Sequence, residues 1–176
     1  MNKWIWILLA VLVIGGLGWL GVKSVTDLPG EAVTDQGRDH RSREENDKFT
    51  YNSNPPTSGP HDPEWIRPGI YDVPQDKYKL IHSLEHGYVV VHYNCAKVLS
   101  TPSATFKADC SLAQVLADWA KKIGLKRIIV QPNPEIDKPV VLVAWGRILK
   151  MDKWNEPEAT KFTKAFHNKG PEQTME

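Results

Sequence analysis

HSLEHGYVVVHY, residues 82 to 93, decides how this chain folds and where its chemistry lies. From Gly87 to Tyr93 the residues alternate. Val89, Val91 and Tyr93 fall on one side of an extended chain and Tyr88, Val90 and His92 on the other, the period-two signature of a strand. The residues just before it hold two histidines and a glutamate, and what they can do depends on backbone shape. If they were extended, His82 and His86 would stand about 13 Å apart at ~3.3 Å per residue, and one ion could not take both. On a helical turn the same i, i+4 spacing brings their Cβ atoms to about 6 Å. Gly87 suits a left-handed stop, so residues 80–87 are expected to bend as a short helix or turn that feeds the strand.

Toward the C-terminus, Ser111–Ile123 carries Leu112, Val115, Leu116, Trp119 and Ile123 on one helical face. Ser111 with Gln114 reads as a capping box, and Gly124 as the stop. KRIIVQ (126–131) and VVLVAWG (140–146) read as strands on either side of the turn-rich PNPEIDKP. A second helix is expected from Asn155 through Phe166, capped by Asn155 and Glu158, with Ala159, Phe162 and Phe166 inward. The order is strand, helix, strand, strand, helix. A helical crossover makes the first two strands parallel, and a short connection lets the third run antiparallel. The expected fold is α+β, or a small α/β: a mixed sheet of three to four strands with two covering helices and a core of Trp119, Trp145, Phe162 and Phe166.

Toward the N-terminus, residues 51–74 are rich in proline and exclude long regular elements, but Tyr51, Trp65, Ile70 and Tyr71 give this irregular loop apolar mass to fasten it to a domain. Residues 24–48 are charged and poor in large apolar side chains, which reads as a stalk or extended arm. Before them, Trp4–Val22 is an uncharged apolar run between Lys3 and Lys23, about 28 Å long as a helix and close to the hydrocarbon thickness of a bilayer. The expected organisation is a transmembrane anchor at 1–23, the stalk or arm at 24–48, and a globular domain at 49–176 outside the cytoplasm, on a single-pass membrane protein.

With a net charge of +1 and interspersed signs, the chain lacks the basic stripe that nucleic acid requires. Cys95 and Cys110 lie close in sequence on the side of the membrane where disulfides persist, and a disulfide between them is expected; free thiols or metal ligation are the alternatives. HSLEH fits the H-x-x-E-H zinc-protease pattern, but Gly87 and the strand after it leave no continuing helix. Ser58, in a proline-rich loop, lacks the strand–turn–helix setting of a hydrolase nucleophile and reads as a turn former.

GRDH (37–40), PPTSGPH (55–61), HSLEHG before a hydrophobic strand ending at Tyr93, AWG (144–146) and PE (171–172) together resemble the bacterial family called domain of unknown function 3105, over about residues 33–172. The resemblance implies an anchored or exported domain rather than a reaction. It directs attention to His40, His61, His82, Glu85 and His86, three separate segments that a fold would have to bring together. An imidazole-rich set of this kind suits zinc or copper. Three readings stay open: a non-catalytic metal-binding or interaction module, which is slightly favoured; a metal-dependent hydrolase with Glu85 as general base; and a structural cluster that hydrogen-bonds the PPTSGPH loop to the sheet. His92 and His167 lack such a context and read as surface or satisfied core residues.

Overall fold

The alternation at residues 88–93 resolves into a sheet buried on both faces. A computed structural model describes residues 4, 7, 11–14, 28–97 and 111–172. The elements are β1 (Glu31–Ala32), α1 (Arg43–Asp47), β2 (Gly69–Ile70), α2 (Lys77–Glu85), β3 (Val89–Tyr93), a 3-10 turn (Cys95–Lys97), α3 (Ser111–Ile123), β4 (Ile128–Pro132), β5 (Val140–Ala144), β6 (Arg147–Met151) and α4 (Glu156–Phe166). The six strands form one mixed sheet in the order β1-β6-β5-β3-β4-β2. β3 and β4 are parallel, as the crossover through α3 requires, with Val89 opposite Ile128. β5 is antiparallel and pairs with β3, Val90 opposite Val143, so β3 lies at the centre of the sheet.

One face presents Val89, Val91, Val130 and Leu142 to α3 and α4, where Leu116, Trp119, Ala159 and Phe162 are buried. The other face presents Tyr88, Val90, Ile129, Val141 and Val143, and Leu80 and Leu84 of α2 cover it. α3 and α4 thus fall where the sequence puts them, but they cover only one face; α2 and the proline-rich loop supply the missing layer. Because both faces are covered, the residues of β3, β4 and β5 are buried throughout.

The structure corrects the expected strand count. VVLVAWG does hold one strand, β5, but it stops at Ala144: the chain turns at Trp145 and Gly146, the glycine at φ +65°, and returns as an unexpected strand, β6, where Leu142 pairs with Leu149. Arg147 and Lys150 hide this strand in the sequence by breaking its apolar run. β1 and β2 are edge strands of two residues each and too short to carry a period. The Ser111–Gln114 capping box is also not formed: Ser111 is the first residue of α3, and Gln114 donates instead to Asp118 Oδ1 at 2.8 Å. At α4 the expected cap is present, Asn155 accepting from the Glu158 amide at 3.3 Å.

The described part of the charged segment, residues 28–48, lies against the domain. Gly30 sits beneath the Phe162 ring and the Ile148 carbonyl, β1 extends the sheet at β6, and residues 37–41 run parallel to residues 59–61. It is extended, as composition suggests, but it is an arm laid on the fold rather than a free stalk. α1 ends the arm with a capping box made by Ser42 and Glu45. Trp4, Ile7 and residues 11–14 are helical and exposed, and the rest of the expected 4–22 anchor lies outside the described residues. Among the described residues no helix is long and apolar enough to cross a membrane. Cys95 is buried and is not a free thiol; Cys110, its expected partner, lies outside the described residues.

Candidate metal centre

HSLEHG is helical. α2 is N-capped by Asp76, whose carboxylate accepts from the amides of Tyr78 (2.9 Å) and Lys79 (3.3 Å), and the chain leaves it through Gly87 at φ +80°. Leu80 and Leu84, one turn apart, face the sheet. His82, Glu85 and the C-cap His86 are thereby gathered on another side of the helix, all buried.

The arm and the loop meet this side. His61 N–H donates to Asp39 O at 2.9 Å and Arg41 N–H donates to His61 O at 2.8 Å, a short parallel pairing that sets His40 beside His61. The same ladder, with Gly59 N–H on Gly37 O at 2.8 Å, satisfies backbone groups that the prolines of this loop cannot pair. The result is a cluster of His40, His61, His82 and Glu85, with one donor atom from each lying within 4.8 Å of the others. His61 is fully buried, while the His40 side chain is 46% exposed, so the cluster opens to solvent on the His40 side. His86 adjoins the group through His82, their Nε2 atoms 3.0 Å apart.

Hydrogen bonding at the far ring nitrogens defines what these imidazoles present. His61 Nδ1–H donates to Gly59 O at 2.8 Å and His82 Nδ1–H to Asp62 O at 2.9 Å. A carbonyl only accepts, so in each neutral ring Nε2 carries a lone pair. Burial pushes both rings below the ordinary imidazole pKa, for His61 against the opposing effects of the Gly59 carbonyl and the Glu85 carboxylate. The His61 lone pair then faces Glu85 Oε2 at 3.0 Å, and the His82 lone pair faces His86 Nε2, also at 3.0 Å. The first contact sets two acceptors against each other in the middle of the cluster. A proton or a cation between them removes the conflict, and backbone carbonyls holding the outer nitrogens are what histidine ligands commonly have.

All five sequence candidates are therefore gathered in one place, four of them as a mutually close group and His86 at its flank. Neighbours that sequence reasoning did not single out complete the surroundings. Arg38 places a guanidinium 3.8 Å from Glu85 Oε1, the Trp65 ring packs against His82 and His86 at 5.7 and 5.3 Å, and Glu172 Oε2 is 4.0 Å from His86 Nε2. Arg38 and Glu172 lie inside GRDH and PE, so a signal was present without a reason to choose them. Trp145, expected in the core, is partly buried and packs against the core on the cluster's side of the sheet, its ring 6.3 Å from His61 and its indole N–H donating to Asp35 Oδ2 at 3.0 Å. His92 is a buried core histidine, with Nδ1 accepting from the Gln131 and Asn133 side-chain amides at 2.8 and 3.2 Å. His167 Nε2 donates to Lys126 O at 2.6 Å.

The family described as Protein of unknown function (DUF3105) matches residues 42–176. The chain belongs to that family. No curated protein and no solved structure matches it. The DUF3105 match begins two residues after His40 and takes in the loop, α2 and Glu172, so it covers all but one of the clustered donors.

Proposed function

We propose that this DUF3105 chain is a membrane-anchored, extracytoplasmic module that binds zinc or copper through His40, His61, His82 and Glu85. The observation that carries the reading is the buried contact of His61 Nε2 with Glu85 Oε2 at 3.0 Å, while the opposite ring nitrogen is committed to the Gly59 carbonyl. Two acceptors in a cluster buried on three of its four members leave room for a positive charge between them. Imidazole with one carboxylate is a donor set suited to zinc or copper. The anchor is Trp4–Val22, and a Cys95–Cys110 disulfide suits the compartment it implies.

The test is element analysis of the full-length chain after chelation, reloading with Zn2+ or Cu2+ and dialysis. One ion retained per chain is expected, with affinity falling about 10- to 100-fold in His61→Gln and Glu85→Gln. Wild-type protein that emerges from dialysis without metal refutes the reading and leaves the cluster as a fastening for the 59–62 loop. A protease added to intact spheroplasts should remove the domain; protection of residues beyond 50 would overturn the topology.

Hydrolysis with Glu85 as general base is the second reading. Its support is the solvent opening at His40, since an enzyme needs an accessible coordination position. Glu85 is itself one of the four close donors, which favours ligand over base. Turnover of an ester, amide or phosphoester panel, abolished in Glu85→Gln with metal retained, would decide for the enzyme.

A further inference from the structure

The cluster has two solvent approaches of opposite charge. On the His40 side stands Arg38, 58% exposed, its guanidinium 3.8 Å from Glu85 Oε1. On the His86 side stands the Glu172 carboxylate, 47% exposed and 4.0 Å from His86 Nε2. A cation is repelled at the first approach and attracted at the second. Glu172 is not on a loose tail: its amide donates to Glu85 O at 3.1 Å, and Asn168 N–H donates to Gly87 O at 2.7 Å, so residues 168–172 form a strap across the end of α2.

His86 differs from the histidines of the inner group in how it is held. His61 and His82 each have Nδ1 fixed to a backbone carbonyl. The buried Nδ1 of His86 has no hydrogen-bond partner, so nothing of that kind locks its ring in one orientation. Its Nε2 nevertheless stands within one ligand-to-ligand distance of His82 Nε2, at 3.0 Å. An imidazole that reaches a resident ligand, sits beside an exposed carboxylate and has no carbonyl holding its Nδ1 suits a ligand that receives an ion and passes it on.

We infer that Glu172 and His86 form an entry seat for a divalent cation, which is handed from Glu172 to His86 and then to His82 of the inner group. The inference rests on the metal-binding reading above. The hand-over exchanges one ligand bond for another at the ion, with no redox change. Because the entry ligands hold the ion only in passing, removing one raises the barrier in both directions and leaves the bound state unchanged. Loss of a resident ligand instead weakens the bound state and raises the dissociation constant.

The experiment is stopped-flow loading of the full-length chain with Cu2+ alone, read by quenching of Trp65, whose ring lies 5.3 Å from that of His86, with Trp65→Phe identifying its signal among the seven tryptophans. Release is read by chelator competition. Glu172→Gln is expected to slow association and release alike, by about tenfold, with the dissociation constant within about twofold of wild type. His86→Gln is expected to do the same more strongly. Unchanged rates in Glu172→Gln overturn the entry seat, as does a tenfold weaker dissociation constant in His86→Gln with normal association, which would make His86 a resident ligand. If wild type binds no ion at equilibrium, the metal reading itself fails; wild type that binds while the variants load at wild-type rates defeats the entry seat alone. Glu172 is exposed and its strap bond is made by its backbone, so Glu172→Gln keeps the test open if His86→Gln fails to fold.

Discussion

Gly170→Ala tests whether the strap is part of the frame that holds the site. A Cβ on Gly170 would run into the Glu85 carbonyl oxygen and the Gly87 nitrogen, and would stand 2.7 Å from the Glu85 carbonyl carbon. These are backbone atoms at the end of α2, which cannot turn aside as a long side chain would. Overpacking of this kind costs about 1–3 kcal/mol when the structure absorbs it. The other outcome is detachment, which forfeits the Asn168–Gly87 and Glu172–Glu85 backbone bonds at about 0.5–1.5 kcal/mol each. Freed residues regain conformational entropy of about 1–2 kcal/mol apiece, so detachment caps the cost. The expected loss is therefore about 1–3 kcal/mol, which lowers Tm by about 2–12 °C for a chain of this length.

Calorimetry of the chelator-treated chain measures that loss, and amide exchange at Glu172 separates the two outcomes: protected if the fold absorbs the methyl, unprotected if the strap lets go. Gly69→Ala is the control, because a Cβ there meets the Tyr71 ring at an ordinary 3.4 Å and should cost less than about 0.5 kcal/mol. A Gly170→Ala protein with Tm within about 1 °C of wild type and an unchanged Glu172 amide would refute the packing argument.

Three further outcomes follow from the fold. His92 is neutral in the folded state, its pKa pushed down by burial from 6.5 to about 3. Below about pH 6.5 the unfolded chain takes up a proton that the folded chain refuses, so stability is full above that pH and declines toward pH 3, by up to about 5 kcal/mol; denaturant titrations at pH 7.5 and 5 measure the slope, and NMR titration of His92 above pH 5 would contradict it. Phe162→Ala, at a fully buried ring against Gly30, should cost about 3–5 kcal/mol by urea unfolding, and a loss under about 1 kcal/mol would show that this ring is not in the core. Ser42→Ala removes the side-chain half of the α1 capping box and should cost about 1 kcal/mol, with faster amide exchange at Glu45 as the local signature.

What was legible in the sequence is what local periodicity controls. β3, α3, β4, β5 and α4 each contain enough residues to express a period, and α2 was visible as a bend because two histidines at i, i+4 and a following Gly87 make sense only on a turn. β1 and β2 were not legible, since two residues express no period, and β6 was masked by Arg147 and Lys150. The five candidate donors were chosen because their motifs resemble those of a family, and the fold supplies the physical reason they meet. The arm pairs with the 59–61 loop through backbone bonds, so His40 and His61 are set side by side by main chain rather than by any side-chain preference that sequence could reveal. The same holds for Arg38 and Glu172. Each lies beside the cluster because a neighbouring backbone is fixed, Glu172 through the Glu85 carbonyl and Arg38 through the ladder that binds Gly37, Asp39 and Arg41. The charge asymmetry of the two approaches is thus a product of tertiary pairing, and reversing it, with Arg38→Glu and Glu172→Arg together, should move the faster path of cation entry from His86 to His40. Loading that then becomes insensitive to His86→Gln but slows in His40→Gln would bear this out, whereas continued dependence on His86 would mean that ring orientation, and not charge, selects the path.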